Sequence, residues 1–255
     1  MKKLVLTLSG GMDSSVLLYM AHEKGFDEIH TITFDYGQRH RRELSCVMKQ
    51  IVNLTDRYNI KVTNKVLDVN YIKTIAPTSS LTNKDIDNPD ISKMAGDAQP
   101  VSYVPFRNLM FLSICSSYAE GIKADTVWYG AAQVDSLAGY WDGSEEFVDT
   151  VNKVTDLNRE NRINIEAPLL EMSKADIIKE GIRLGVKFKD TWTCYSDGKV
   201  EKNGKGYHLI ADATTPSSSM RVKGFVDAGY KDPITYIQQD KLNKLYDENN
   251  CRECA

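Results

Sequence analysis

The sequence predicts a doubly wound α/β fold, in which a mostly parallel sheet carries helices on both faces and a small irregular subdomain follows. Short apolar runs alternate with amphipathic stretches through the first two-thirds of the 255 residues, as is typical of a parallel sheet. Two adjacent glycines separate the first apolar run from the first amphipathic stretch. The alternation weakens after Thr191, so we expect a main domain at residues 1–190 and a subdomain at residues 191–255 that packs on it.

Hydrophobic periodicity places the individual elements. The predicted strands are short runs rich in leucine and β-branched residues: 4–8, 29–34, 61–67 and 126–130. The predicted helices carry apolar residues at helical spacing: 13–24, 41–58, 101–121, 147–158, 174–184 and a final amphipathic stretch at 236–249. Ser173 is a possible N-cap of the helix at 174–184, and Asp176 fits its first turn as a structural residue.

The turn after the first strand reads Leu8-Ser9-Gly10-Gly11-Met12-Asp13-Ser14-Ser15 and predicts a phosphate-binding loop. Glycines let backbone N–H groups approach an anion closely, and a helix N-terminus adds partial positive charge. The three serines add hydroxyl donors, and Asp13 could hold Mg²⁺ or cap the helix. The loop lacks the GxxxxGK[ST] spacing and its lysine, which disfavours simple γ-phosphoryl transfer. The alternative is a glycine turn without a ligand, capped by Ser and Asp.

Composition narrows the function classes. The net charge is −3 and the isoelectric point about 5.9, so no large nucleic-acid footprint is expected, although Arg39-His40-Arg41-Arg42 is a local basic cluster. The chain has no apolar run of about eighteen residues and no signal-peptide layout, so we expect a cytoplasmic protein without a membrane span. The five cysteines suggest core residues or metal ligands, and Cys46 and Cys115 are assigned to the core.

Three segments follow predicted strands and should face one crevice, because ligands of such sheets bind beyond the carboxyl ends of the strands. They are Gly10-Gly11, Asp35-Tyr36-Gly37 and Ala131-Ala132-Gln133. Residues 76–100 form a polar segment that is too long for an ordinary connection, which predicts a lid or a mobile active-site loop. The alternative for that segment is a surface loop without function.

Several strings, taken in order, resemble one enzyme family. The loop at residues 9–15 resembles the SGGxDS pyrophosphate-binding loop (PP-loop) of the N-type ATP pyrophosphatases, which cleave ATP between the α and β phosphates. The later strings resemble the 7-cyano-7-deazaguanine synthase family: FDYGQRH at 34–40, YVPFRN at 103–108, PLLEMSKAD at 168–176 and TWTCY at 191–195. The resemblance covers about residues 1–235. It implies a Rossmann-like sheet of the adenine nucleotide alpha hydrolase type.

The resemblance implies an ATP-dependent ligase. Such an enzyme activates the carboxylate of 7-carboxy-7-deazaguanine as an acyl-adenylate, releases pyrophosphate and AMP, and uses ammonia to form an amide and then the nitrile, 7-cyano-7-deazaguanine (preQ0). A carboxylate is a poor electrophile because its leaving group would be oxide, and adenylation supplies a better one. The chemistry needs positive charge around the α-phosphate, usually with Mg²⁺. The resemblance also suggests a homodimer.

The implied site residues fall into three groups. The catalytic cations are Arg39, His40, Arg107 and Lys174, with a solvated helix turn as the alternative for Arg39 and plain surface charge for Lys174. Besides the loop, Phe34, Asp35 and Gln38 are expected to contact ATP. The expected substrate contacts are Asn108, Gln133, Asp135, Tyr140 and Phe147. Trp192 and Tyr195 could stack on a purine-like base or belong to the core.

The chain departs from the family where the family binds a structural zinc ion. There the family has three cysteines spaced CxxCxxC, whereas this chain has Asp212, Thr215 and Ser218. A separate CxxC pair, Cys251 and Cys254, stands at the C-terminus, and CxxC is a common zinc half-site. We expect the tail to fold back so that this pair joins Cys194, with His208 as the fourth ligand. The alternative is that zinc is absent and the tail cysteines are free thiols.

The acceptor half also departs from the family, while the ATP half looks intact. The family string GYPDCRPEF reads GYWDGSEEF at 139–147, so Gly143 and Ser144 replace a cysteine and an arginine, and Phe106 stands where glycine is common. The reaction could therefore stop at the amide or use another amine, such as one on a partner protein. Two further alternatives are a tRNA-modifying PP-loop enzyme, which the negative charge and the length disfavour, and a non-catalytic nucleotide sensor.

Overall fold

A five-stranded parallel sheet forms the centre of the computed structural model, which describes residues 2–38, 42–83, 85–86, 100–132, 139–194, 198–203 and 206–254. Its strands are β1 (Lys3–Thr7), β2 (Glu28–Asp35), β3 (Lys61–Asp68), β4 (Thr126–Trp128) and β5 (Asn164–Glu166). Their spatial order is β3-β2-β1-β4-β5, so the direction of strand addition reverses between β1 and β4. Ligands of doubly wound sheets bind at such a reversal.

Helices connect these strands. Those of the first half are α1 (Met12–Glu23), α2 (Arg42–Tyr58), α3 (Ile72–Ile75) and α4 (Arg107–Gly121). Those of the second half are α5 (Glu145–Thr155), α6 (Lys174–Leu184), α7 (Pro216–Ala228) and α8 (Gln239–Glu248). No helix in the described ranges is both long and apolar enough to cross a bilayer.

Both faces of the sheet are covered. Leu4 and Leu6 of β1 join an apolar cluster with α1, α2 and α6, whereas Val5 joins a second cluster that contains residues of α4 and α5. Successive side chains of a strand point to opposite faces, so this alternation places helices above and below β1. The doubly wound arrangement predicted from the sequence is confirmed.

The C-terminal part has more regular structure than its polar sequence predicts. Strands β6 (Lys199–Asn203) and β7 (Gly206–Ala211) form an antiparallel pair, and β8 (Thr235–Tyr236) lies parallel to β7. Helix α7 begins with proline and ends at Gly229, whose φ of 83° is left-handed. Neither α7 nor β5 is predicted, because α7 has no clear apolar stripe and β5 is only three residues long.

A buried ion pair connects α7 to the first loop of the chain. Arg221 donates through Nε to Asp232 Oδ2 at 2.7 Å and through Nη2 to Asp232 Oδ1 at 3.0 Å. The same guanidinium donates to Thr191 Oγ1 at 2.7 Å. Trp192, the next residue, donates its backbone N–H to the carbonyl oxygen of Gly10 at 3.1 Å. This network therefore ties the C-terminal part to the predicted phosphate loop.

Candidate active site

A cavity of about 280 Å³ opens at the carboxyl ends of β1, β2 and β4, where the strand order reverses. Ten residues predicted as site residues line it: Leu8, Ser9, Gly11, Met12, Asp13, Ser14, Phe34, Arg107, Asn108 and Tyr140. Other described residues of the wall include Tyr36, Glu43, Tyr103, Tyr129, Asp142, Trp192 and Thr193. All three segments expected to share a crevice reach this wall, through Gly11, Tyr36 and Ala131.

Other predicted site residues are not among those that line the described wall. Arg39, His40, Gln133 and Asp135 are outside the described residues, as are Tyr195 and most of the polar segment at 76–100. Gly10, Ser15, Asp35, Gln38, Phe147 and Lys174 are described but stand behind the wall or beside it.

The loop geometry suits an anion. Gly11 is the N-cap of α1, and no side chain in the described part of the chain caps this helix, so the first-turn N–H groups keep their capacity for a bound anion. Ser9 Oγ accepts from the Gly11 N–H at 3.1 Å, and Ser14 Oγ accepts from the Ser9 N–H at 3.2 Å. Ser15 is buried and donates to the Gly11 carbonyl at 2.7 Å, so its hydroxyl holds the turn rather than facing the cavity.

Gly10 explains why the loop can lie so close to α2. Its φ is 88°, a left-handed conformation that favours glycine. A Cβ atom built there would stand 2.0 Å from the backbone oxygen of Glu43, in the first turn of α2. Any larger residue would therefore push the loop away from the helix.

Asp13 pairs with a lysine that is distant in sequence. Lys174 Nζ donates to Asp13 Oδ2 at 2.6 Å, which brings a positive charge to the loop. Asp13 Oδ1 is buried without a hydrogen-bond partner among the described residues, and Asp13 is not the N-cap of α1. A buried unsatisfied carboxylate oxygen is costly, and it is also the hard donor that Mg²⁺ prefers, so the donor chemistry fits this ion.

Helix α6 holds Lys174 in place. Ser173 caps α6, as the sequence predicts, and the structure adds a capping box between Ser173 and Asp176. The neighbouring helix α7 approaches through Gly224, where an added Cβ would lie 2.8 Å from Lys174 Cβ. Because Gly224 has no side chain, α7 can pack against α6 without displacing the aliphatic part of Lys174.

Arg107 brings a positive charge into the described cavity wall. It begins α4, donates through Nη1 to Tyr36 Oη at 3.4 Å and stacks over that ring with 5.6 Å between the guanidinium carbon and the centroid. Its Nε donates to Asn108 Oδ1 at 3.3 Å. Burial raises the pKa of Asp142 in the same wall, and the charge of Arg107 opposes the rise. A cation at a helix N-terminus opposes the helix dipole, which favours an anionic ligand here.

Two residues expected to contact ATP instead close the turn after β2. Gln38 accepts from the Tyr36 N–H at 3.0 Å and donates to the Phe34 carbonyl at 3.4 Å. Asp35 accepts from the Gly37 N–H at 3.2 Å. These side chains shape the strand end, and Phe34 alone of the three non-loop ATP candidates reaches the wall.

Aromatic residues surround the part of the cavity that contains Tyr103 and Tyr140. Phe106 has a φ of 53°, a left-handed conformation that explains why glycine would suit this position. Its backbone N–H and Trp141 Nε1 both donate to Tyr103 Oη, each at 2.9 Å. The Phe106 and Trp141 rings meet at 5.5 Å, so two positions that differ from the family are in contact. Phe147 packs behind Trp141, with ring centroids 5.2 Å apart.

The positions that would carry the family's zinc ligands do converge, but with different chemistry. Cys194 Sγ lies 3.5 Å from Thr215 Oγ1 and 3.7 Å from the Asp212 carbonyl oxygen. Thr215 Oγ1 in turn donates to Ser218 Oγ at 2.9 Å. Hydroxyl and carbonyl oxygens beside one thiol are a poor ligand set for zinc.

The C-terminal cysteines do not supply the missing ligands. The tail folds back as expected, but it pairs with the loop after α7, where the Lys231 N–H donates to the Arg252 carbonyl at 2.7 Å. Cys254 packs against the main core, and burial raises its pKa to about 11. No three His, Cys, Asp or Glu side chains within the described ranges are placed to share a metal. The side chain of His208 is not among those described.

The chain is similar in sequence to known proteins over most of its length. A sequence profile of the family described as queuosine biosynthesis protein QueC matches residues 3–229. The 7-cyano-7-deazaguanine synthase of Clostridium kluyveri is 37% identical over 242 residues, which cover 92% of this chain and 98% of that protein. The enzyme of that name from Thermoplasma volcanium is 36% identical over 252 residues, covering 97% and 95%. The solved NMN synthetase from Francisella tularensis aligns with a TM-score of 0.48 at 14% identity, covering 97% of this chain and 86% of that one.

Proposed function

The chain belongs to the QueC family of queuosine biosynthesis proteins, and on that premise we propose that it is an ATP-dependent C–N ligase. Its reaction is the activation of 7-carboxy-7-deazaguanine and its amidation with ammonia toward 7-cyano-7-deazaguanine. The observation that supports this most directly is the uncapped glycine loop, which lies in one cavity with Arg107 and beside the Asp13–Lys174 pair. Relatives over nearly the whole length carry the name of that synthase.

The proposed chemistry has two halves. First, a carboxylate oxygen of the substrate attacks the α-phosphorus of ATP, and pyrophosphate leaves with the bonding electrons. Ammonia then attacks the acyl carbon, AMP leaves, and the nitrogen loses a proton to give the amide. A second ATP adenylates the amide oxygen as pyrophosphate leaves, and the nitrile forms when AMP departs with the amide oxygen and the nitrogen has given up both of its protons.

The position of each residue in the site suggests its role in this reaction. The first-turn N–H groups of α1 and the hydroxyls of Ser9 and Ser14 would hold the departing pyrophosphate. Asp13 would hold Mg²⁺, which supplies charge neutralisation at the phosphates when bound. Lys174 and Arg107 supply fixed positive charge, which stabilises the pentacovalent phosphorus more than the ground state. Arg39 and His40 are proposed to add to that charge, as the sequence strings suggest.

On the acceptor side, Asn108 and Tyr140 are proposed to contact the deazaguanine, with Gln133 and Asp135 from the adjoining segment. The donor set described above does not fit zinc, so no step involves it. The homodimer and the protein acceptor stay predictions. Sedimentation of the purified chain tests the first, and the product assay below tests the second.

Product analysis tests the proposed function. Purified protein is incubated with ATP, Mg²⁺, 7-carboxy-7-deazaguanine and ammonium, and the products are followed by mass spectrometry. We expect the nitrile together with AMP and pyrophosphate. An amide without nitrile would show that the reaction stops halfway, AMP with neither product would indicate another acceptor, and ADP with phosphate would refute adenylation.

A pair of lysine variants makes the assay specific. Lys174→Met removes the cation beside Asp13 and should lower AMP release by about 100- to 1,000-fold, as loss of one electrostatic stabiliser does in other enzymes. Lys179→Met removes an exposed lysine from the same helix and should leave the rate unchanged. Equal rates of AMP release in the two variants would show that Lys174 has no role in the reaction.

A further inference from the structure

A buried carboxyl group in the cavity wall has no role in the reaction described so far. Glu43 lies in the first turn of α2 and is 8% exposed. It lines the cavity together with Tyr36 and Arg107. Its position in the sequence does not distinguish it, because it follows the basic cluster and resembles an ordinary acidic residue in a first helical turn.

Glu43 lies between the glycine loop after β1 and Arg107 at the start of α4. Its backbone oxygen packs against the phosphate loop at Gly10. Its carboxylate accepts from Gln38 Nε2 at 3.5 Å, at the end of β2, and the charge of Arg107 acts on it from α4. Glu43 therefore contacts the loop that would hold ATP through its backbone, while its carboxyl group is in the field of the cation that would face the activated acid.

The carboxyl group is expensive for the fold. Burial raises the pKa of Glu43 to about 8, although Arg107 and the hydrogen bond from Gln38 act in the opposite direction. The charge of Glu43 also acts on Tyr36 after β2 and on Cys46 one turn along α2. A glutamine of nearly the same shape would avoid the cost. Titratable groups kept in a cleft at such a cost are candidates for proton transfer.

We propose that Glu43 is the general base of the amidation half-reaction. The inference rests on the proposed function. As the C–N bond forms and the bond from the acyl carbon to the AMP oxygen breaks, the ammonia nitrogen gives one proton to the Glu43 carboxylate. The products are the amide, AMP and a protonated Glu43, which returns its proton to solvent before the next turnover. The adenylation half-reaction transfers no proton and needs no such base.

The two halves can be measured separately in Glu43→Gln. Adenylation is followed as exchange of labelled pyrophosphate into ATP, dependent on 7-carboxy-7-deazaguanine and without ammonia. Amidation is followed as amide in a single turnover with ammonia. We expect unchanged exchange and amidation lowered by about 100- to 10,000-fold, the usual range for loss of a general base. Hydroxylamine, which attacks acyl-adenylates unaided, should restore trapping of the acyl group in the variant.

Glu145→Gln is the matched control, since Glu145 is an exposed glutamate in the first turn of α5. Both reactions should be unchanged in it. In the parent protein, the pH dependence of amidation should contain an ionisation that Glu43→Gln lacks. Exchange and amidation lowered to the same degree in Glu43→Gln would overturn the inference, and so would normal amidation. No exchange in the parent protein would instead refute the proposed function itself.

Discussion

Replacing Arg221 with methionine tests how the C-terminal part holds the glycine loop after β1. Methionine keeps much of the side-chain volume and removes the charge, so it breaks the pair with Asp232 and leaves that carboxylate buried. Arg221 is 1% exposed and the Asp232 side chain is 0% exposed. The remaining partners of the carboxylate are the Tyr236 hydroxyl at 2.6 Å and the Ile234 N–H at 3.2 Å.

The structure sets the expected size of the effect. Removing one partner of a buried ion pair costs about 3–5 kcal/mol, because the other charge stays desolvated without its counter-ion. That is a large part of the roughly 5–15 kcal/mol that stabilises a typical domain. Arg221→Met/Asp232→Asn removes the stranded charge while the amide oxygen can still accept from Tyr236. We therefore expect the double variant to recover at least half of the loss.

Urea unfolding followed by circular dichroism gives the free energies, and a double-mutant cycle isolates the pair. Arg183→Met is the control, because Arg183 pairs with Glu23 and Glu180 at the surface, where its side chain is 53% exposed, and should cost far less. The KM for ATP should rise in Arg221→Met, since Thr191 and Trp192 lose their anchor beside Gly10. A loss no larger than that of Arg183→Met, or a double variant no more stable than the single one, would refute the reasoning.

Three further predictions concern the loop, Glu43 and the tail. Gly10→Ala should have a much lower melting temperature than Gly25→Ala. Both glycines have a positive φ, but only at Gly10 would the added Cβ meet backbone atoms. Equal losses of melting temperature in the two variants would contradict this. A carboxyl whose pKa rises from 4.5 to about 8 on folding destabilises the protein progressively as pH rises between those values. Glu43→Gln should therefore be more stable than the parent at pH 8, by no more than about 5 kcal/mol, and the difference should vanish near pH 4.5 in urea unfolding; a constant difference would contradict burial as the cause. Metal analysis of the purified protein should find far less than one equivalent of zinc, and the same low content in Cys251→Ser/Cys254→Ser. If the parent protein instead contains one equivalent of zinc and the double variant does not, the predicted zinc site exists.

Much of the sheet could be predicted because its signal is local. The strand at 4–8, the glycine turn and the following helix agree with β1 and α1 within one residue, since burial on both faces of a central strand demands a continuous apolar run. In the C-terminal part, β6 escaped prediction because it is polar, and β8 because it has only two residues. Their pairing with one another is a non-local contact that periodicity does not register.

The zinc site was predicted from a sequence motif, which does not tell where the chain places its cysteines. A CxxC pair at the tail is a sound half-site in sequence, yet backbone pairing holds the tail against residues 229–231 and Cys254 against the main core. The replaced positions did converge on Cys194, as alignment with the family pattern suggests. What changed there is the donor chemistry rather than the geometry.

The sequence by itself determined the family, the doubly wound sheet and the glycine turn after β1, because each depends on neighbouring residues whose spacing sets a strand, a turn or a helix terminus. Only the tertiary structure decided that Lys174 meets Asp13, that Arg221 ties the far end of the chain to Gly10, and that Glu43 is buried in the cavity wall. These contacts join residues that are distant in sequence or depend on burial. Their free energy comes from desolvation and packing, which exist only once the chain has closed around them.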